Sequence, residues 1–293
     1  MPKIHFIVNP IAGSGTHNFS ESYFQDYFES NQYNLTVKYS EYKGHAVDLT
    51  KESIAQDATI IVACGGDGTI NEVASALVST NIPLGIIPVG SGNGLASNLK
   101  ISNKIEEAIE IIKNNLQTRI DVGCVNNYYF FSNTGFGIDA IVIKNYEASQ
   151  KRTLYYYLIA TLKSVVNFYK NKDITIEIDG LETMENPFLI FISNSNELGY
   201  GVSLTPRALL QDGLLDVVIV PRLNKSAMLL FGIFMLFKKP ELLKGVRCFQ
   251  TKTIKLFRKQ GTLFQSQMDG EFMNIQDTTL SISLKEKALL VIK

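Results

Sequence analysis

A chain of 293 residues with 28 Lys+Arg against 28 Asp+Glu carries no formal net charge, which argues against broad electrostatic attraction to nucleic acid. Its composition, 45% apolar and 19% charged without a low-complexity tract, is that of a globular protein long enough for two domains or one large one. The three cysteines, Cys64, Cys124 and Cys248, are scattered and form no CxxC pair, which fits a reducing cytoplasm and neither a zinc site nor a disulfide frame.

Lys3–Val8 reads as a first strand rather than a secretory leader. It runs into Asn9-Pro10-Ile11-Ala12-Gly13-Ser14-Gly15, a glycine loop at a strand end. Tyr23, Phe24, Tyr27 and Phe28 then recur at helical spacing, and an aromatic stripe of this kind is usually core. Leu35–Tyr39 is the second strand and Ala46–Ile54 the second helix, with Ser40 at the strand end and Lys43-Gly44-His45 just beyond it. Ala58–Ala63 has the apolar, β-branched character of a buried parallel strand. Gly65-Gly66-Asp67-Gly68-Thr69 follows, and Ile70, Val73, Leu77 and Val78 then mark a helix. Thr69 and Glu72 match a capping box at its start. Leu84–Val89 is the fourth strand, Gly90-Ser91-Gly92-Asn93-Gly94 a third glycine loop opening a short helix, and Ile105, Ala108, Ile109 and Ile112 a further amphipathic helix.

This alternation predicts a mainly parallel, doubly wound sheet with right-handed crossovers. In such a sheet the strand-end loops share one edge, where ligands bind. One glycine loop is as readily a tight turn, but three on one edge point to a nucleotide-phosphate site. Asp67, being anionic, is a poor direct phosphate ligand and a good partner for a ribose hydroxyl or a phosphate-bound Mg²⁺.

After about Arg119 the pattern changes to short alternating segments with hairpin signals. Tyr128–Phe131, Ile174–Ile178, Phe188–Ser193, Leu215–Val220, Thr253–Phe257, Leu263–Met268 and Leu280–Leu284 predict an antiparallel sandwich. Two apolar stretches, Tyr155–Tyr169 and Ala227–Leu243, read as helices. The expected division is 1–120 as an α/β domain and 121–285 as a β-sandwich, with a last strand at about 286–293 a candidate to return to the first. Ala227–Phe237 is the longest wholly apolar run, 11 residues, too short to span a bilayer. The chain is therefore expected to be soluble, or at most to touch a membrane surface. Apolar all round, the run has the pattern of a buried helix. It ends, however, in Lys238-Lys239 and Pro240, as a segment dipping into acyl chains would.

With the glycine loops and Met268-Asp269-Gly270-Glu271 both in view, the chain resembles the diacylglycerol kinase catalytic-domain family. That family includes soluble bacterial lipid kinases and the sphingosine and ceramide kinases. The resemblance covers nearly the whole chain. It rests on Asn9-Pro10…Gly13-Ser14-Gly15, Gly65–Glu72 (GGDGTINE), Pro88–Ala96 (PVGSGNGLA), Asp121-Val122-Gly123, Asn133–Ala140 (NTGFGIDA), Leu210–Val217 (LQDGLLDV) and Asp269-Gly270-Glu271. It implies an NAD kinase-like α/β domain followed by a β-sandwich that takes the lipid. By matched position it implies ATP contacts at Asn9, Ser40, Gly66, Asp67, Gly68, Thr69, Ile70, Asn71, Glu72 and Ser91. The neighbouring loop residues Pro10, Gly13, Gly65, Gly90, Gly92 and Asn93 complete the candidate cofactor set. Asp269 or Glu271 would be the general base, the alternative being a plain Asp-Gly hairpin turn. Asp212, with the carbonyls of Leu209 and Leu214, would hold a structural Mg²⁺, unless Asp212-Gly213 is an ordinary turn. Asp121 would support that region through water. One departure concerns substrate: many bacterial members read GT-x-NDFA where this chain has Gly90-Ser91-Gly92-Asn93-Gly94-Leu95-Ala96, so Gly94 replaces an Asp, as in the sphingosine and ceramide kinase version.

The reading is an ATP- and Mg²⁺-dependent lipid kinase at the cytoplasmic membrane face, phosphorylating a hydroxyl of diacylglycerol or a related lipid. A sphingosine- or ceramide-type kinase, an NAD kinase-like enzyme and an inactive nucleotide-binding regulator are its rivals. The expected partner is a lipid at the membrane surface and not nucleic acid, with a homodimer left open.

Overall fold

The computed structural model describes residues 1–13, 17–90, 92–149, 154–167, 174–178, 182–185, 187–196, 203–258 and 263–293. Ser14, Gly15 and Ser91 lie outside these described residues. The chain divides into two compact units, Met1–Val122 with Glu286–Lys293, and Gly123–Lys285.

The first unit runs β1 (Lys3–Val8), α1 (Glu21–Gln25), β2 (Asn34–Tyr39), α2 (His45–Ala55), β3 (Ile60–Gly65), α3 (Asp67–Leu77), β4 (Leu84–Pro88), α4 (Gly94–Asn98) and α5 (Ile105–Asn114). Its strands pair in the order β2-β1-β3-β4, all parallel. The inner strands are buried along their length, which is why they read as unbroken apolar runs rather than alternating ones. The aromatic stripe is core, as its spacing predicts: Phe24 stacks on Phe6 at 3.8 Å and Phe28 meets Phe6 edge-on. The helix itself stops at Gln25, opened by Ser20, whose hydroxyl accepts the Tyr23 N–H. β5 (Gln117–Val125) then carries the chain into the second unit.

That unit contains β6 (Tyr128–Phe130), β7 (Asn133–Gly137), α6 (Ile138–Glu147), α7 (Leu154–Asn167), β8 (Ile174–Ile178), β9 (Glu182–Glu185), β10 (Leu189–Ser193), β11 (Leu215–Val220), α8 (Lys225–Leu236), β12 (Arg247–Thr251), β13 (Thr253–Arg258), β14 (Phe264–Met268), β15 (Glu271–Ile275) and the first part of β16 (Thr279–Ile292). One antiparallel sheet has the order β12-β11-β10-β7-β14-β15, and a second layer joins β16, β13, β8 and β9. Phe136, Ile190, Val217, Ile254, Leu256 and Leu280 interlock between the layers, so the sandwich forms around one core. On the other face of the six-stranded sheet, Phe188, Leu189, Val218 and Val220 pack against Ile138 and Val142 of α6 and Met228 and Phe231 of α8. Among the described residues no helix is long and apolar enough to cross a membrane.

Several elements depart from the sequence reading. β7, β9, β12 and β15 were not legible as strands, nor was α6 as a helix. Leu280–Leu284 and the last strand at about 286–293, expected as separate strands, are one continuous β16. The polar Lys285-Glu286-Lys287 breaks the apolar pattern within it, where Lys287 takes a left-handed φ of 50° and donates its N–H to Asp121 Oδ1 at 2.6 Å. The last residues of β16 belong to the first unit: Val291 pairs in parallel with Leu84, and the Ser79 N–H donates to the Ala288 carbonyl at 2.7 Å.

Candidate active site

In the first unit the three glycine loops leave the carboxyl ends of β1, β3 and β4 and touch one another through glycines. Gly66 and Gly90 meet closely enough that a Cβ on Gly90 would stand 2.5 Å from the Gly66 Cα, and one on Gly13 would strike the Val89 carbonyl. A Cβ on Gly65 would meet the Thr69 side chain at 2.5 Å. At these positions the absence of a side chain is what lets the neighbouring chain segments approach so closely.

Polar side chains then lock the loops. Asn9 donates from Nδ2 to Thr69 Oγ1 at 3.2 Å and accepts the Ile11 N–H at 3.1 Å, tying the first loop to the start of α3; Pro10 beside it is exposed. Ser40, next to the end of β1, donates its N–H to the Val8 carbonyl at 2.8 Å. Asp67 spans two loops: its carboxylate accepts the N–H groups of Asn93 at 2.8 Å and Gly94 at 2.6 Å, at the start of α4. Gly92 lies so near that a Cβ there would press on Asp67 Oδ2. Asn93, buried and left-handed at φ 55°, closes the third loop on itself by bonding both the N–H and the carbonyl of Gly90.

Three sequence assignments change character here. α3 starts at Asp67 with Gly66 as its cap and no side-chain capping bond, so the expected Thr69–Glu72 capping box does not form. Thr69 is engaged by Asn9 instead, and the Glu72 carboxylate reaches α2, accepting the N–H groups of Gly44 at 2.8 Å and Ala46 at 3.2 Å. Ile70 is 1% exposed, a core residue that offers a ligand no side chain. Gly68 is half-buried in the first turn, and Asn71 accepts a bond from Ser75.

In the second unit, Asp269 and Gly270 form the two-residue turn between β14 and β15, with φ of 48° and 83°, the left-handed pair of a type I′ hairpin. The Asp269 carboxylate accepts three backbone N–H groups, from Phe131 at 2.8 Å, Ser132 at 2.7 Å and Asn133 at 3.0 Å. Gln267, 1% exposed, donates to Asn133 Oδ1 and to Asp139 Oδ2, both at 2.8 Å, and accepts the Gly270 N–H at 2.9 Å. Burial raises Asp139 to about 6, with the Gln267 bond opposing. Glu271 opens β15, and the next residue, Phe272, donates its N–H to Glu147 Oε1 at 2.8 Å, so α6 anchors this hairpin from its side chain. Gln267 and Asp139 had no assigned role in the sequence reading. Asn133 and Asp139 lay inside a motif, but only the fold brings them to a residue more than 120 positions away.

Asp212 is exposed, in the turn before β11. Its Oδ1 accepts the Leu214 N–H at 3.0 Å, and Gln250 Nε2 stands 3.5 Å from Asp212 Oδ2 and 3.2 Å from Asp216 Oδ2. Burial raises the Asp216 carboxyl above its ordinary value, the Gln250 bond opposing and the Asp212 charge adding a little. Carboxylate and backbone carbonyl oxygens are the donors a hard cation takes, so the chemistry of Leu209, Asp212 and Leu214 fits Mg²⁺. Asp121 is buried and accepts from Lys287 within the first unit.

Two family profiles match the chain: the diacylglycerol kinase catalytic domain over residues 3–125, and the YegS C-terminal NAD kinase beta sandwich-like domain over residues 132–292. The chain is 28% identical over 278 residues to a diacylglycerol kinase of Bacillus subtilis (strain 168), covering 93% of this chain and 90% of that one. It is 28% identical over 259 residues to a diacylglycerol kinase of Staphylococcus aureus (strain JH9), covering 83% and 78%. A solved structure of a diacylglycerol kinase from Bacillus anthracis strain Sterne superimposes with a TM-score of 0.71 at 21% identity, over 99% of this chain and 96% of that one, which bears on fold alone. With both profiles matched in order along its length, the chain belongs to the diacylglycerol kinase catalytic-domain family of lipid kinases.

Proposed function

We propose that this lipid kinase moves the γ-phosphate of ATP to a hydroxyl of diacylglycerol or a related lipid, with Mg²⁺, at the cytoplasmic face of a membrane. The observation that carries the nucleotide half is the meeting of three glycine loops at the ends of parallel strands, held at positions a Cβ would fill. Residues 9–13, 65–72 and 88–94 contain no Lys or Arg, so phosphate there is held by backbone N–H groups and by the N-terminus of α3. In this reading Asp67 shapes the third loop, and Asn9, Thr69 and Asn93 keep the cradle open.

On the acceptor side, Glu271 takes the proton of the lipid hydroxyl as its oxygen bonds to the γ-phosphorus and the bond to ADP breaks. Asp269, already holding three N–H groups, is the positioning residue that fixes the turn. Asp212, with the Leu209 and Leu214 carbonyls, would hold Mg²⁺, whose charge would brace that turn. A sphingosine- or ceramide-type acceptor is the second reading, favoured by Gly94 in the third loop.

The test is to incubate the protein with labelled ATP, a mixed lipid extract and NAD. Label in a lipid supports the proposal, and purified diacylglycerol and ceramide then decide between acceptors. Label on NAD, or on no acceptor, overturns it.

A further inference from the structure

The apolar stretch after residue 224 has two faces. Ala227, Met228, Phe231, Phe234 and Met235 form one stripe of α8, packed wholly or partly against the cluster on the six-stranded sheet. Leu229, Leu230, Ile233, Leu236 and Phe237 form the other, and it is open to solvent: Leu229 and Phe237 are each 71% exposed and Leu236 79%. Both stripes follow helical spacing, which is why the segment is apolar all round without being buried all round. Leu242, 58% exposed, extends the open face past the helix end. A contiguous apolar patch of this kind marks an interaction surface.

Cations frame the patch. Lys225 stands at the start of the helix, Lys238 and Lys239 follow its end, and Lys244 lies just beyond, all exposed, with Glu241 the single acid between residues 222 and 245. Because both ends are cationic, a second copy of the helix laid on the first, parallel or antiparallel, sets lysine against lysine. An anionic bilayer meets both features at once: acyl chains take the leucines, and headgroup phosphates take the lysines.

We propose that the open face of α8 is a docking surface for an anionic phospholipid bilayer, on which the helix lies flat. This deepens the lipid-acceptor reading and rests on it, since it gives a chain whose described residues include no membrane-crossing helix a way to its substrate.

Cosedimentation with vesicles of phosphatidylcholine, with and without phosphatidylglycerol and without nucleotide, tests it. The wild type is expected to sediment with both and more strongly with the anionic vesicles. Leu229→Ser/Leu236→Ser/Phe237→Ser is expected to lose at least about tenfold in binding to both, with its melting temperature nearly unchanged because the three side chains are outside the core. Lys238→Glu/Lys239→Glu is expected to weaken only the anionic-vesicle binding, at least about fivefold per lysine at low salt. If the triple variant fails to fold, Leu236→Ser and Phe237→Ser are measured singly. Wild-type binding to neither vesicle overturns the inference. So does triple-variant binding equal to wild type, or a triple variant that loses only a concentration-dependent dimer. A chain that docks yet phosphorylates no lipid overturns the function alone, and one that phosphorylates dispersed short-chain diacylglycerol without docking overturns the docking alone.

Discussion

Asp67, the first residue of α3, accepts the N–H of Gly94, the first residue of α4, at 2.6 Å. A second bond from Asn93 makes this carboxylate the tie between the second and third glycine loops. A carboxylate at a helix N-terminus is favoured by the helix dipole as well as by the bonds it accepts. Replacing it leaves two loop N–H groups unmatched. Asp67→Ala is expected to lower stability by about 1–3 kcal/mol and to weaken nucleotide binding. Urea unfolding and equilibrium ATP binding check this, and a variant unchanged in both excludes the role.

The proposed mechanism gives the acidic hairpin two separable roles, a base at Glu271 and a positioning group at Asp269. Glu271→Gln is expected to reduce turnover by about 10²–10⁴ while leaving ATP binding and the melting temperature close to wild type. Asp269→Asn is expected to lose activity and stability together, because an amide offers one acceptor oxygen where the Asp269 carboxylate has two holding three backbone donors. Steady-state kinetics beside calorimetry on the two variants resolves them. If Glu271→Gln turns over normally, the base is elsewhere.

Asp139 is expected to make stability fall as pH rises. Its folded-state value, about 6, lies above the ordinary 3.8, so between these values the folded chain keeps a proton that the unfolded chain has released. Stability from this group is present at low pH and is lost as pH rises through that window, leaving a poorly hydrated carboxylate above it. Asp139→Asn keeps an acceptor for Gln267 without the charge. It is expected to raise the melting temperature at pH 8 and to lose that advantage near pH 4, read by thermal melts across the range.

Mg²⁺ is expected to raise the melting temperature of the wild type after chelator treatment, and to leave that of Asp212→Ala unchanged. The variant should also lose activity. Full activity together with full stability in chelator-washed buffer would leave Asp212 an ordinary turn residue.

The first unit was largely legible because its inner strands are buried on both faces and its loops announce themselves by glycine. What sequence could not show is which group each polar side chain meets: Glu72 matches a box with Thr69 three residues away, yet it serves Gly44, 28 residues back. In the second unit β7 reads Asn-Thr-Gly-Phe-Gly, with too few apolar residues to signal a strand, although it sits in the middle of a sheet. Its polarity is used in hydrogen bonds to β14, where Asn133 answers Gln267 and Thr134 bonds Ser266. The open stripe of α8 was hidden for the opposite reason, since exposed and buried leucines look alike in a sequence.

The return of residues 286–293 to the first unit has a consequence for the order of events on the ribosome. When the first 122 residues have emerged, β4 has β3 on one side and nothing yet on the other, because Val291 is still to be made. An open edge beside an apolar strand is an invitation to pair with a neighbouring nascent chain. Domain-by-domain completion from the amino terminus is therefore closed to this protein. The nucleotide-loop unit gains its last strand only after the whole sandwich has been translated, so a stall anywhere in the second unit leaves the first one unsealed.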